Sequence, residues 1–558
     1  MWHGRCPMRS AEVDPLPPPG RPKRRLSCLS GLCSVGSRMA TLITVSRRPC
    51  WGTCYALPGV HIHGDVSGAP VGKRPIVKWF RDESIRGQED KMPHCIEGWL
   101  SQSRVIAALA ALLMLSAFTD VARAQPAAVP NVAAVGPSVT CQPTSTTRPQ
   151  PKLPIGFTEQ ILYAGCLTQP TAISFNGSKT RVFVAEKGGK VWNCDLATPT
   201  CTLFADLGSE VCNDADRGLL GLAVDPQNDG NVYVLYTTRP MTGACSGNVL
   251  TGGQLSLLTG SGETKILPPA GSTNQPWCFY YTSHSIGGLV FAADNKTLYV
   301  SAGDGASFEQ VDYGQLDTAC GDGTSVPQGA FRSQGTSPYY DGVILKVTNP
   351  GATTQSVAVV ANGLRNPFRF ARLPGLMTDE LYIGNVGWNL WESIDHFIVA
   401  GQNFGWPCFE GWDPNNNFGA ALQPAYQSTG YCGSVSPASV PKPFYAYAHT
   451  SYVTAEDSKG RTCGGKPSGL GPDQNGSVIS AIGFTDGTST TYPLAFNKAL
   501  YFGDLLRKCI WTMQPPNNTP QTFARGLQGG PVDLKSGPDG DLFYVDLVTS
   551  TVRRFTHK

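Results

Sequence analysis

Of the eight histidines in this chain, His3, His61 and His63 fall in a basic leading stretch and His94 follows soon after. That leaves few side chains able to move a proton near neutral pH. His284 directly precedes Ser285 and an apolar run, Ile286 to Phe291, that reads as a short strand, so it stands at a strand end. An imidazole with an ordinary pKa of about 6.5 suits proton abstraction there, although a strand-capping histidine would look the same. Arg365 and Asn366, followed by the turn-stiffening Pro367, set a permanent cation with a fork of donors beside an amide. Such a pair can stabilise negative charge growing on an oxygen. A second basic pair, Arg507 and Lys508, ends the run Tyr501-Phe-Gly-Asp-Leu-Leu.

No side chain accepts a hydride, so any oxidation by this chain needs a cofactor. The chain lacks a Gly-x-Gly-x-x-Gly between strand and helix, which disfavours a nicotinamide. Zinc is disfavoured as well, because the twelve cysteines beyond residue 124 show no paired C-x-x-C spacing. Their even number suits disulfides, and Cys194 and Cys201 could close one short loop. Asp304-Gly305 and Pro538-Asp-Gly-Asp541 read as tight turns, and Trp388, Trp391, Trp406 and Trp412 read as packing between sheets.

The elements that must hold these residues are short strands. With 41% hydrophobic and 15% charged residues, the chain is neither a disordered solvating segment nor a multi-span membrane protein. From about Gly156 a phrase recurs in which an apolar strand meets an Asp, Asn or Gly turn and then a strand rich in Val, Leu and Tyr. Six copies open at Thr171, Gly218, Gly287, Leu364, Val478 and Val532, with no long helix-period stretch between them. Six such units with variable loops predict an all-β fold, a six-bladed β-propeller of four-stranded antiparallel sheets over residues 156–558. A large β-sandwich is the weaker alternative.

The ends are different in kind. Arg104 precedes an apolar run from Val105 to Phe118 and the sequence Ala122-Arg-Ala124, which predicts an export signal over 92–124 with cleavage before Gln125. Residues 1–91 then read as an upstream extension, with Met92 as the expected start, and 125–155 as a Pro- and Thr-rich linker. The basic charge is confined to the front: residues 1–91 carry a net +8 and residues 125–558 a net −5. An acidic mature chain argues against nucleic acid or anionic lipid as a partner. A secreted or periplasmic location with no membrane span in the mature form is expected.

Five stretches together resemble the glucose/sorbosone dehydrogenase family, soluble quinoprotein sugar dehydrogenases related to hedgehog-interacting-protein propellers. They are Arg217-Gly-Leu-Leu-Gly-Leu-Ala-Val-Asp-Pro; Ser283-His-Ser-Ile-Gly-Gly with Ser301-Ala-Gly-Asp-Gly; Asn362-Gly-Leu-Arg-Asn-Pro-Phe-Arg; Gly384-Asn-Val-Gly-Trp-Asn-Leu-Trp-Glu; and Asn403-Phe-Gly-Trp-Pro-Cys-Phe-Glu-Gly. The resemblance implies oxidation of an aldose sugar or polyol with pyrroloquinoline quinone (PQQ) as hydride acceptor, electrons leaving to an external acceptor. A non-enzymatic propeller that binds carbohydrate or protein is the alternative. It implies His284 as base, and Arg365, Asn366 and Arg507 or Lys508 on the quinone. It also implies calcium held near Gly387, Trp388 and Phe404. Here Ser393 stands where the family's ligating carboxylate falls, and Glu392 beside it faces the other way on a strand. Asp216 replaces a family glutamine, where it could accept a sugar or cofactor hydrogen bond but would repel a tricarboxylate, and Ser283 replaces an aspartate.

Overall fold

A computed structural model describes residues 136–240, 243–314, 320, 329–335, 339–413, 420–427, 432–460, 463 and 476–558. The expected upstream extension and export signal lie outside the described residues. Six small sheets form a ring, each built on four antiparallel strands. Their innermost strands are Pro170–Phe175, Leu219–Asp225, Ile286–Phe291, Arg369–Arg372, Ile479–Phe484 and Pro531–Ser536, and each packs on the next around a common axis. We number the blades 1 to 6 in that order. Five of the six repeats read from the sequence open within a residue of these starts, and the one at Leu364 opens five residues ahead of Arg369.

Each blade face is covered by a neighbour, so inner and middle strands are buried on both sides and read as nearly unbroken apolar runs. Leu542–Asp546 in blade 6 is buried at every position, as is Thr297–Ala302 in blade 3. Short polar turns reverse the chain between strands. In blade 3, Asp294 Oδ1 accepts the N–H groups of Lys296 and Thr297, closing the hairpin between its first two strands. Glycine is required where inner strands pinch together: a Cβ on Gly287 would stand 2.8 Å from the Pro367 carbonyl of blade 4.

Blade 6 is assembled from both ends of the described chain. Its outer strand, Phe157–Leu162, pairs antiparallel with Thr551–His557, Leu162 opposite Val552. This removes the open edge that a linear array of sheets would leave. The stretch expected as a linker is partly sheet: Ser138–Thr140 pairs with the edge of blade 1 and Ser145–Thr146 with the edge of blade 6. Cys141 is bonded to Cys166 and ties this stretch to the first blade. Composition suggested a loose segment, but edge pairing and a disulfide order it. All twelve cysteines beyond residue 124 pair, as Cys141–Cys166, Cys194–Cys201, Cys212–Cys245, Cys278–Cys320, Cys408–Cys432 and Cys463–Cys509.

The axis is closed by one cation. Arg369 donates from Nε to the Val532 carbonyl (2.9 Å) and from Nη2 to that of Thr171 (2.8 Å). Its Nη1 reaches the carbonyls of Phe368 (3.1 Å) and Gly287 (3.4 Å), and Asp533 lies 3.8 Å from Nε. Carbonyls of four blades thus converge on one guanidinium. Among the described residues no helix is long and apolar enough to cross a membrane.

Candidate functional site

A pocket of about 110 Å³ opens beside this closed axis, and every blade lines it. Its polar lining includes Lys187, Asp216, His284 and Asn366, set among Leu220, Ile286, Phe368, Val386, Val478, Leu505, Val532 and Leu547. Three residues chosen from the sequence, His284, Asn366 and Asp216, therefore meet at one cavity.

His284 is held from two directions. Its backbone lies in the left-handed region (φ 53°), a strained conformation that histidine tolerates better than most side chains. Its carbonyl accepts the Gly305 N–H (3.1 Å), and Gly303 must be glycine because a Cβ there would come within 2.5 Å of that carbonyl. On the side-chain end, Nδ1 meets Asp304 Oδ1 at 2.9 Å. The same Oδ1 accepts the Ala306 N–H (3.0 Å), and Oδ2 accepts the Trp406 indole N–H (2.8 Å). An anion on Nδ1 fixes the tautomer with hydrogen on that nitrogen, leaving Nε2 as the basic atom of a ring that lines the pocket.

Electrostatics keep this base unprotonated. Burial and the Arg365 cation push the His284 pKa down, against the pull of Asp304 and Asp216. Burial alone would raise Asp304, but His284, their hydrogen bond and Arg365 outweigh it and hold the carboxyl below its ordinary value. The sequence reading took Asp304-Gly305 for a turn only. The turn exists, yet Asp304 is also the partner of the imidazole. Strand register contains that signal: Ile286 pairs with Ala302, so two steps outward His284 faces Asp304.

Arg365 and Asn366 are positioned by Asn385, whose Oδ1 accepts both backbone N–H groups at 3.1 Å and whose amide donates to Asp395 (3.0 Å). The Arg365 guanidinium lies behind the pocket, over the Trp406 ring at 5.5 Å. Its Nη1 donates to the carbonyls of Gly387 (2.6 Å) and Val386 (3.2 Å). Arg217, quoted above only as part of a motif, is wholly buried. It donates to the carbonyls of Val249 (2.8 Å), Tyr280 (2.7 Å) and Tyr281 (2.8 Å), anchoring the segment that leads to His284.

Arg507 does not reach the pocket. Its Nε donates to Ser477 Oγ (2.6 Å), and its Nη atoms to the carbonyls of Ser451 (2.7 Å), Cys463 (3.3 Å), Ala448 (3.1 Å) and His449 (3.2 Å). A buried guanidinium needs acceptors, and these loops around the junction of blades 4 and 5 supply them. Lys508 is exposed in the turn between two blade 5 strands, and Leu505 of that turn lines the cavity instead. The cation the sequence reading missed is Lys187, at the second hairpin of blade 1, which donates to Asn213 Oδ1 (2.5 Å).

The residues expected to hold calcium do not converge on a cation cage. Gly387, Phe404, Ser393 and Asp395 line a separate hollow of about 20 Å³, but the Arg365 cation lies in it and takes the Gly387 carbonyl. Glu410, in the same hollow, spends Oε1 on the N–H groups of Trp388, Asn389, Leu390 and Trp391 (2.8–3.1 Å). Asp395 is engaged by Asn385 and Ser393. Glu392 points away, to His449 Nε2 (2.7 Å) and the Ile479 N–H (3.0 Å). Among the described residues, no group of three His, Cys, Asp or Glu side chains is arranged for a metal. A divalent ion beside a fixed guanidinium, with its oxygens already bonded, is disfavoured.

A family model described as Glucose / Sorbosone dehydrogenase matches residues 167–452. Among solved structures, the apo-form of the soluble aldose sugar dehydrogenase from Escherichia coli is 16% identical, covering 72% of this chain and 100% of that one, with a TM-score of 0.47. The PQQ-bound aldose sugar dehydrogenase from Streptomyces coelicolor is 14% identical, covering 73% and 100%, with a TM-score of 0.44. No curated protein matches the chain.

Proposed function

Because this chain belongs to the glucose/sorbosone dehydrogenase family, we propose that it oxidises an aldose sugar or related polyol with PQQ as the hydride acceptor. The observation that carries the reading is the Trp406–Asp304–His284 relay ending at a pocket to which all six blades contribute. Converting a hemiacetal to a lactone removes a proton from the anomeric hydroxyl and a hydride from its carbon. His284 Nε2 takes the proton. Asp304 stabilises the imidazolium that results, and Trp406 and the Ala306 N–H hold the carboxylate still.

PQQ, when bound, supplies the two-electron acceptor. Apart from Asp216, whose carboxylate opposes it, the residues present suit a flat anionic ring system. Phe368, Val386, Leu505 and Leu547 offer apolar walls, Lys187 a cation and Asn366 an amide, while Arg365 adds a positive field from behind. The apolar walls thin the water around the reacting atoms, which strengthens each of these interactions. An external acceptor would take the electrons from that cofactor. Six disulfides support an oxidising compartment, secreted or periplasmic, for the mature chain.

The test is to titrate purified protein with PQQ by absorbance, then screen aldoses with an artificial electron acceptor, and repeat both with His284→Ala. Dye reduction lost in a variant that still binds PQQ supports the reading. Absence of PQQ binding to the wild type, with sugar binding retained, would instead leave a non-enzymatic carbohydrate-binding propeller.

A further inference from the structure

Among the described residues, one anion in the pocket is left without a hydrogen-bond partner for its side chain. Asp216 lines the cavity with His284, and its backbone is fixed by an N–H donated to the Thr282 carbonyl (3.0 Å) and by the buried Arg217 beside it. The preceding residue, Ala215, lies in the left-handed region (φ 46°) and lines the same cavity. Alanine gains nothing locally from that conformation, so the surrounding fold holds this bend into the pocket. The neighbouring cations make their hydrogen bonds elsewhere. Lys187 donates to Asn213, and Arg365 to the carbonyls of Gly387 and Val386. Asp214, close by, is likewise occupied, with Oδ2 accepting the Gly247 N–H (2.8 Å). Asp216 is exposed at the surface of the fold; desolvation raises its carboxyl overall, against the pull of His284, Lys187 and Arg365.

A carboxylate accepts hydrogen bonds and donates none. It welcomes hydroxyl or ammonium donors and repels a second anion. We propose that Asp216 makes this pocket charge-selective: it admits neutral and amino sugars and rejects sugars that carry a carboxylate or phosphate. This rests on the sugar reading above and names the substrate class within it.

The experiment measures kcat/KM for D-glucose, D-glucosamine and D-glucuronate on PQQ-loaded protein, wild type and Asp216→Asn, at low and high salt. Wild type should prefer glucose over glucuronate by about tenfold, the scale of one unit charge acting across a sugar-sized gap. That preference should shrink in high salt, and Asp216→Asn should largely abolish it. An unchanged glucose-to-glucuronate ratio in Asp216→Asn overturns the proposal, and so does a wild-type ratio insensitive to salt, which decides the matter even if the variant does not fold. Should the wild type oxidise none of the three, the oxidoreductase reading falls by itself. Calorimetric titration with the same sugars then tests Asp216 independently, and equal binding of glucose and glucuronate overturns its role.

Discussion

Asp304→Asn isolates the part of the site on which proton transfer depends. The substitution keeps the size of the side chain and an oxygen for either the Trp406 or the Ala306 donor, so packing around a residue only 1% exposed is preserved. It removes the charge facing His284 Nδ1 across 2.9 Å. Hydrogen bonds to a charged group contribute about 1.5–3 kcal/mol, so losing this one in the transition state should lower kcat about 10- to 150-fold. The pH profile supplies the second readout. Asp304 raises the His284 pKa and Arg365 lowers it, so without Asp304 the lowering prevails. The active form is the neutral imidazole, and the acid limb of kcat/KM should therefore move to lower pH. Steady-state dye reduction across pH 5 to 9 gives both quantities. A kcat within about threefold of wild type together with an unmoved acid limb would refute the reasoning, since a purely structural Asp304 predicts no shift of that limb.

Arg369→Leu should leave four converging carbonyls without their donor, while Asp533 keeps Lys535 at 2.8 Å, destabilising the fold by about 3 kcal/mol or more in urea unfolding. Replacing Cys463 and Cys509, which span 46 residues, should cost about 4 kcal/mol, against roughly 2.4 kcal/mol for Cys194 and Cys201, which span 7, with the melting temperatures ordered accordingly. Burial raises Glu392 from 4.5 to about 7, and His449 is raised as well despite burial, chiefly by its bond to Glu392. Groups raised on folding contribute stability at low pH that is lost as pH climbs through the folded pKa. Unfolding free energy from these residues should thus fall between pH 4.5 and about 7, and Glu392→Gln should flatten that slope in denaturant titrations.

The architecture was legible because its signal is repetition. A blade needs an apolar inner strand, a polar turn and a second apolar strand, and the starts read at Thr171, Gly218, Gly287, Val478 and Val532 fall within a residue of the observed inner strands; Leu364, five residues ahead of Arg369, marks the loop that carries Arg365 and Asn366. His284, Asn366 and Asp216 were singled out through the family resemblance, and the structure brings them to one cavity because each lies close to such a start. Turns have no side-chain period, so the sequence reading could not decide which way Arg507 and Lys508 project. Burial settled it by sending the guanidinium to free carbonyls at a blade junction. Lys187 escaped notice for the same reason, as a hairpin lysine that happens to overlook the cavity. The calcium expectation depended on carboxylate geometry that one strand step, Glu392 against Ser393, is enough to redirect.

The union of Phe157–Leu162 with Thr551–His557 also dictates when the molecule can exist. A ribosome makes the first of these strands long before the last, so through most of synthesis the nascent chain carries an orphan edge awaiting a mate not yet translated. Removing even the final seven residues would therefore affect more than a tail. It would unlatch the ring and expose a sticky margin, and the imidazole, though encoded far upstream, would face a pocket whose blade 6 side is no longer held in place.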